Sequence, residues 1–175
     1  MSDRAPTPTP ALRILPAMGL DALYRAHATS LLRLAIAVTG DRSLAEEVVQ
    51  DAFVGFARQA RPPQPGAELA YLRRTVLNLV NGRFRRLAVV RRQPQSRPVD
   101  LPAAELSVDR RHTQQQVADA VRALPRRQRD CMVLRCYAEA TDTEIAAALD
   151  ISVGSVKTHL HRARSTLATN LKDLR

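Results

Sequence analysis

The sequence predicts an all-α protein made of two small helical domains joined by an extended linker. Three observations carry that prediction. Apolar residues make up 45% of the 175-residue chain while aromatics are only 3%, and the apolar set is mainly Ala, Leu and Val. Small aliphatic side chains suit helix-on-helix packing and leave little for an aromatic-rich sheet core. In two long blocks the apolar positions recur at three- and four-residue steps. Between those blocks, residues 88–112 lose the period and carry Pro94, Pro98 and Pro102 among charged and small residues, as an extended connector does.

The elements follow in order. Residues 1–18 contain Ala-Pro-Thr-Pro-Thr-Pro, which cannot nucleate a helix and reads as a disordered lead. Leu20, Leu23, Tyr24, His27, Leu31, Leu34, Ala35 and Val38 then mark a first helix that ends at Gly40. Ser43 and Glu46 have the spacing of a capping box and predict the start of a second helix bearing Leu44, Val48, Ala52, Phe53 and Phe56. The break at Arg61-Pro-Pro-Gln-Pro-Gly66 separates it from a third helix over residues 68–87. Three helices with short connections make a first domain over residues 19–87. Helical periodicity resumes at Thr113, so residues 113–175 form the second domain.

A net charge of +10 and a pI near 11.0 favour a polyanionic partner, because basic side chains on a phosphate backbone release condensed counterions. The most apolar run, residues 31–38, is broken by Arg33 and is far short of the roughly 20 residues that cross a bilayer. No stretch resembles a signal peptide. A cytoplasmic protein with no membrane insertion is expected, with reduced thiols at Cys131 and Cys136. His159 and His161 lie about 160° apart on a helix of roughly 100° per residue. Neither their spacing nor that of the cysteines matches a zinc finger, and no metal, cofactor or catalytic residue is expected.

The firmest motif is at the C-terminal end. Thr143-Glu-Ile-Ala-Ala-Ala-Leu149 is a short helix, Asp150-Ile151 a tight turn, and Ser152 an N-cap for the next helix. On that helix Val153, Val156, Leu160, Ala163 and Leu167 share one face. Ser155, Thr158, Arg162, Ser165 and Thr169 share the other, flanked by Lys157, His161 and Arg164. This division predicts a helix-turn-helix whose second helix meets base edges and phosphates of duplex DNA.

The third helix shows a related division. Arg74, Asn78, Asn81 and Arg85 follow steps of four, three and four along one face, and Arg73, Arg83 and Arg86 widen the positive surface. Carboxamides between guanidiniums offer base-edge donors and acceptors beside phosphate contacts. Arg83 falls close to the apolar side and is expected to snorkel outward. The second helix is acidic through Glu46, Glu47 and Asp51, which suits a protein partner better than DNA.

Together these residues resemble a bacterial sigma factor of the sigma-70 family, in the extracytoplasmic-function group and its actinobacterial SigE-like branch. Three stretches carry the resemblance: Thr39-Gly-Asp-Arg-Ser-Leu-Ala-Glu-Glu-Val-Val-Gln-Asp-Ala-Phe53, Tyr71-Leu-Arg-Arg-Thr-Val-Leu-Asn-Leu-Val-Asn-Gly-Arg-Phe-Arg-Arg86, and the segment from Leu124-Pro through Glu144-Ile-Ala to Val156-Lys-Thr-His-Leu-His-Arg-Ala-Arg164.

The resemblance implies a region 2-like first domain that binds the β′ clamp helices of core RNA polymerase through Asp41, Glu47, Gln50, Asp51 and Phe53. It implies that Arg73, Arg74, Asn78, Asn81 and Arg85, with the loop at residues 61–68, handle the −10 promoter element, where a base is captured out of the stack. A region 4-like second domain would contact the β flap and read the −35 duplex through Ser155, Lys157, Thr158, His161, Arg162 and Arg164. The linker, with Asp100, Glu105 and Asp109, would thread the polymerase cleft. A cognate anti-sigma factor is a further partner that the resemblance admits. Tyr71 in place of Trp, the proline-rich −10 loop and Asp150 in place of Gly depart from the pattern and bear on promoter sequence. A helix-turn-helix regulator that works without polymerase is the alternative; it would need an N-terminal sensory or phosphoacceptor domain, and residues 1–112 show no α/β pattern for one.

Overall fold

The computed structural model describes residues 19–61, 63–90 and 108–172. Among them are seven helices: α1 (Leu20–Thr39), α2 (Arg42–Ala57), α3 (Glu68–Val90), α4 (Val108–Arg122), α5 (Arg126–Tyr137), α6 (Asp142–Leu149) and α7 (Val153–Asn170). The all-α expectation holds. The linker is shorter than its lost periodicity suggests, because α3 runs on to Val90 and α4 begins at Val108. The expected N-terminal lead, the linker core at 91–107 and the side chains of Arg85 and Arg86 lie outside the described residues.

Local chemistry sets the boundaries. Gly40 closes α1 in the left-handed region at φ 70°, and its N–H reaches the Ile36 carbonyl at 2.8 Å. The start of α2 corrects the sequence reading. Asp41, not Ser43, is the N-cap, and its carboxylate accepts the Leu44 amide at 3.1 Å. Asp41 and Ser43 are both competent caps, but Thr39 Oγ1 accepts the Asp41 amide and fixes the earlier choice. Glu46 then pairs with Arg42 at 2.8 Å rather than reaching back to Ser43. The capping box that does form joins Thr141 and Glu144 at the start of α6.

The core is continuous. Leu31, Leu34 and Val38 of α1, Val48 and Phe56 of α2, and Leu72, Val76 and Val80 of α3 belong to the same buried cluster as Val133, Leu134, Ile145, Val156 and Leu160 from α5, α6 and α7. In the first domain α1, α2 and α3 pack on one another, while α5, α6 and α7 do so in the second. The two halves also meet directly, with α1 against α5 and α3 against α6.

Candidate nucleic-acid interface

The helix-turn-helix is fixed by three local devices. Thr141 caps α6 by accepting the Glu144 amide, and Glu144 returns a carboxylate oxygen to the Thr141 amide at 2.8 Å. Asp150 ends α6 at φ 56° and ψ 54°, the left-handed conformation that Asp tolerates better than most residues. The Ile151 amide then reaches back to the Ala146 carbonyl at 3.1 Å, and Ser152 caps α7 by accepting the Ser155 amide. These devices set the angle at which α7 leaves the turn.

On α7, Val156, Leu160 and Ala163 are buried against α5 and α6. Val153 is 37% exposed, so the apolar stripe begins one turn later than its pattern suggests. Lys157, Thr158, His161, Arg162 and Arg164 all face solvent. Among the described residues, none of the four basic side chains has a protein partner. Thr158 donates its hydroxyl to the Gly154 carbonyl at 3.0 Å, which leaves its lone pairs and methyl group outward. Ser155 is half-buried with its hydroxyl 2.9 Å from that of Ser152, so it belongs to the cap more than to the reading surface.

The polar face of α3 is not open in the same way. Arg73 is only 7% exposed and donates to the Ala138 carbonyl at 3.0 Å, with Glu144 at 3.4 Å. Asn81 is only 4% exposed. Its amide nitrogen lies 3.3 Å from Asp130 Oδ2, and its carbonyl oxygen accepts from Arg129 at 2.6 Å. Asn78 accepts from Arg126 and Arg74 meets Asp150, each at 3.3 Å. Four of the five predicted −10 residues therefore touch α5, α6 or the ends of those helices. Amphipathic spacing placed them together on one face; it did not reveal that the other half of the protein covers that face.

Asp130 is the acid at the centre of this seam. It is 1% exposed, with Arg126 at 3.5 Å and Arg129 at 3.9 Å. Burial pushes its carboxyl above the ordinary carboxylate value, and the attraction of Arg129 and the Asn81 hydrogen bond oppose that rise. Burial likewise lowers the Arg129 pKa, against the pull of Asp130. Asp130, Arg126 and Arg129 were missed by the sequence reading. The one available signal was a lone acid following Arg126-Arg127-Gln128-Arg129 and leading straight into Cys131-Met-Val-Leu134, all of which is buried.

Glu47, Gln50, Asp51 and Val54 line an outward face of α2. Arg83 does not snorkel into solvent; it spans from α3 to Glu47 and Asp51, 2.7 Å from each. Asp41 is exposed but serves as the cap. Phe53 is 5% exposed and lies beneath Tyr24, with ring centroids 4.9 Å apart, so it supports the surface rather than forming it. The exposed apolar groups there are Tyr24 at 47% and Val54 at 46%. Of the two thiols, Cys131 is buried and Cys136 exposed.

Comparison with known proteins gives a consistent result. The family model described as Sigma-70 region 2 matches residues 23–89, and that described as Sigma-70, region 4 matches residues 114–167. The chain is 33% identical over 152 residues to the RNA polymerase sigma-E factor of Streptomyces coelicolor, covering 84% of this chain and 82% of that one. It is 30% identical over 152 residues to the ECF RNA polymerase sigma factor SigE of Mycolicibacterium smegmatis, but spans only 59% of that protein's length. Among solved structures, the sigma factor RpoE in complex with the anti-sigma factor NepR from Bartonella quintana superposes with a TM-score of 0.66 at 21% identity, covering 87% of this chain and 98% of that one. CnrH in complex with the cytosolic domain of CnrY gives 0.63 at 24% identity, covering 88% of each chain.

Proposed function

This chain belongs to the extracytoplasmic-function sigma factors of the sigma-70 family, non-enzymatic proteins that direct transcription initiation through RNA polymerase, and we propose how its residues divide that work. Residues 113–175 form the −35 reader. Lys157, Thr158, His161, Arg162 and Arg164 meet the duplex there, with Ser155 positioning the N-terminal turn of α7. The observation that carries this reading is the exposed basic face of α7, unpaired among the described residues and held on a buried stripe of Val156, Leu160 and Ala163. Residues near the N-terminus of such a helix reach base edges, while its basic flanks grip phosphate.

Residues 19–87 bind core polymerase and read the −10 element. Glu47, Gln50 and Asp51 form the edge offered to the β′ clamp helices, Asp41 and Phe53 holding its shape, and Tyr24 and Val54 add apolar area. Arg73, Arg74, Asn78, Asn81 and Arg85 take the −10 strand. The linker at 88–112 passes through the polymerase cleft, and the second domain rests on the β flap. Neither domain needs high affinity, because joining two weak contacts through polymerase raises the effective concentration of the second. The protein works in the cytoplasm; no described helix is long and apolar enough to cross a membrane. A cognate anti-sigma factor is a fitting regulator, since the similar sigma factor RpoE is in complex with the anti-sigma factor NepR.

Run-off transcription with core enzyme on genomic DNA fragments tests the assignment. Promoter-specific transcripts are expected, and Arg162→Ala should weaken the −35 contact by about 1–3 kcal/mol if the side chain reads a base. An unchanged footprint upstream in that variant removes Arg162 from the site. Failure to co-purify with core polymerase removes the polymerase contact.

A further inference from the structure

A small cavity lies where α3, α5 and α6 meet. It measures ≈ 70 Å³ and is lined by Arg74, Leu77 and Asn78 of α3, by Arg126, Arg127 and Asp130 of α5, and by the end of α6. That volume holds a couple of waters or one four-oxygen anion. Its walls set three guanidiniums against a single carboxylate. The carboxylate is already committed: Asp130 is 1% exposed and has Asn81 at 3.3 Å, Arg126 at 3.5 Å and Arg129 at 3.9 Å. The guanidiniums are not. Each carries five N–H donors in a planar fork. Among the described residues, Arg127 uses one on the Leu149 carbonyl and Arg74 one on Asp150, both at 3.3 Å. Asp150 lies outside the lining, and counting it with the cluster still leaves the guanidiniums in excess. Asn78 accepts from Arg126 through its carbonyl oxygen, which leaves its NH₂ as a further donor.

We propose that this cavity binds a phosphate group, free or carried as a monoester, through Arg74, Arg126 and Arg127 with Asn78 as a neutral donor. Guanidinium forks match the oxygens of a phosphate and hold it by charge-assisted hydrogen bonds. The setting of Arg126 and Arg127 calls for an anion independently of the cavity's shape. Both stand in the first turn of α5, which has no acid there and no side-chain cap at Pro125. Cations at that end oppose the helix dipole as well as each other, and a bound anion relieves both repulsions. Leu77, only 1% exposed, backs the cavity with apolar surface, and attraction between charges grows where water is thin. Because three helices from both halves of the chain contribute, the bound group also bridges them and stabilises their packing by mass action. None of this depends on which promoter element α3 reads.

Equilibrium dialysis of the full-length chain against labelled inorganic phosphate, with ionic strength held by chloride, tests the site. One phosphate per chain with a Kd of about 1 mM is expected, the scale of a few charge-assisted hydrogen bonds after the costs of association. Arg126→Gln with Arg127→Gln should weaken binding about tenfold. A control of equal charge change carries Arg33→Gln and Arg58→Gln, at exposed positions that do not line the cavity, and should bind as the wild type does. Phosphate should also raise the urea midpoint of the wild type beyond the effect of chloride at equal ionic strength. Equal affinity in the two double variants overturns the proposal, because binding then follows net charge alone. So does the absence of saturable binding by about 10 mM. Adenosine 5′-monophosphate in place of phosphate separates the two sources, and both results support the site: tighter binding identifies a monoester whose nucleoside stays outside the cavity, and weaker binding identifies the free ion. Should the double variant lose helical circular dichroism, Arg127→Gln alone is expected to weaken binding about threefold; unchanged affinity there overturns the site.

Discussion

The Arg83 fork joins stability to the proposed polymerase surface and can be tested with a number. Its guanidinium donates at 2.7 Å to Glu47 and at 2.7 Å to Asp51, tying α3 to α2. The Arg83 side chain is 26% exposed while its partners are 62% and 54% exposed, so water screens both pairs. Exposed ion pairs contribute about 0.2–1 kcal/mol each, and two that share one planar fork should sum to about 1 kcal/mol. Arg83→Ala also exposes apolar surface that the side-chain stem covers. With a urea slope of about 2 kcal/mol/M, a loss of about 1 kcal/mol moves the midpoint down by about 0.5 M. Double-mutant cycles of Arg83→Ala with Glu47→Ala and Asp51→Ala isolate the pair terms from the lost packing. Summed coupling of about 1 kcal/mol that shrinks in 1 M salt is expected, as the Debye length falls to about 3 Å. Coupling under about 0.2 kcal/mol would show that α2 and α3 are held by their apolar faces alone.

Three more outcomes follow from the same geometry. Asp51→Arg should both destabilise the fold, by setting a second guanidinium against Arg83, and abolish co-purification with core polymerase; adding Arg83→Glu should recover the urea midpoint but not the polymerase. Thr141→Ala should cost about 1 kcal/mol of stability by uncapping α6. The Thr141 amide and hydroxyl, more than Arg73, hold the Glu144 carboxyl below its ordinary value. Its stabilisation is therefore present above the unfolded value of 4.5 and is lost as pH falls through the lowered folded value, so acid titration of the urea midpoint should flatten in part in Thr141→Ala, which removes the hydroxyl but keeps the amide, and further in Glu144→Gln. Burial pushes the Cys131 thiol up to about 11, so iodoacetamide at neutral pH should modify Cys136 alone in the native protein and both thiols in urea, as counted by mass spectrometry.

What the sequence made legible was local. The α6–turn–α7 unit follows from Asp150, Ser152 and a periodic stripe, each of which acts within a few residues of itself. The start of α2 was misplaced because Asp41 and Ser43 are both good caps, and the deciding hydrogen bond comes from Thr39, which lies outside the capping pattern. The polar face of α3 was visible in the spacing of Arg74, Asn78 and Asn81. Its covering was not, since Asn81 and Asp130 are 49 residues apart and periodicity carries no information at that range. Arg83 sits near the apolar side of α3 for the same kind of reason: its partners are on α2, 36 and 32 residues earlier.

The two basic faces differ in how far the described residues engage them, and Asn81 shows what that engagement requires. A carboxamide such as Asn81 could not be buried at 4% exposure without partners, because an unmade buried hydrogen bond costs about 1–3 kcal/mol. Asp130 and Arg129 supply those partners, yet Asp130 itself enters the seam against its desolvation, as its raised pKa records. The closed arrangement thus balances a satisfied polar network against the burial of its own charges, and such a balance shifts when a competing surface takes either side. The basic residues of α7 lie outside that balance and need no rearrangement to meet a duplex. On this reading the −35 contact is available in the closed chain.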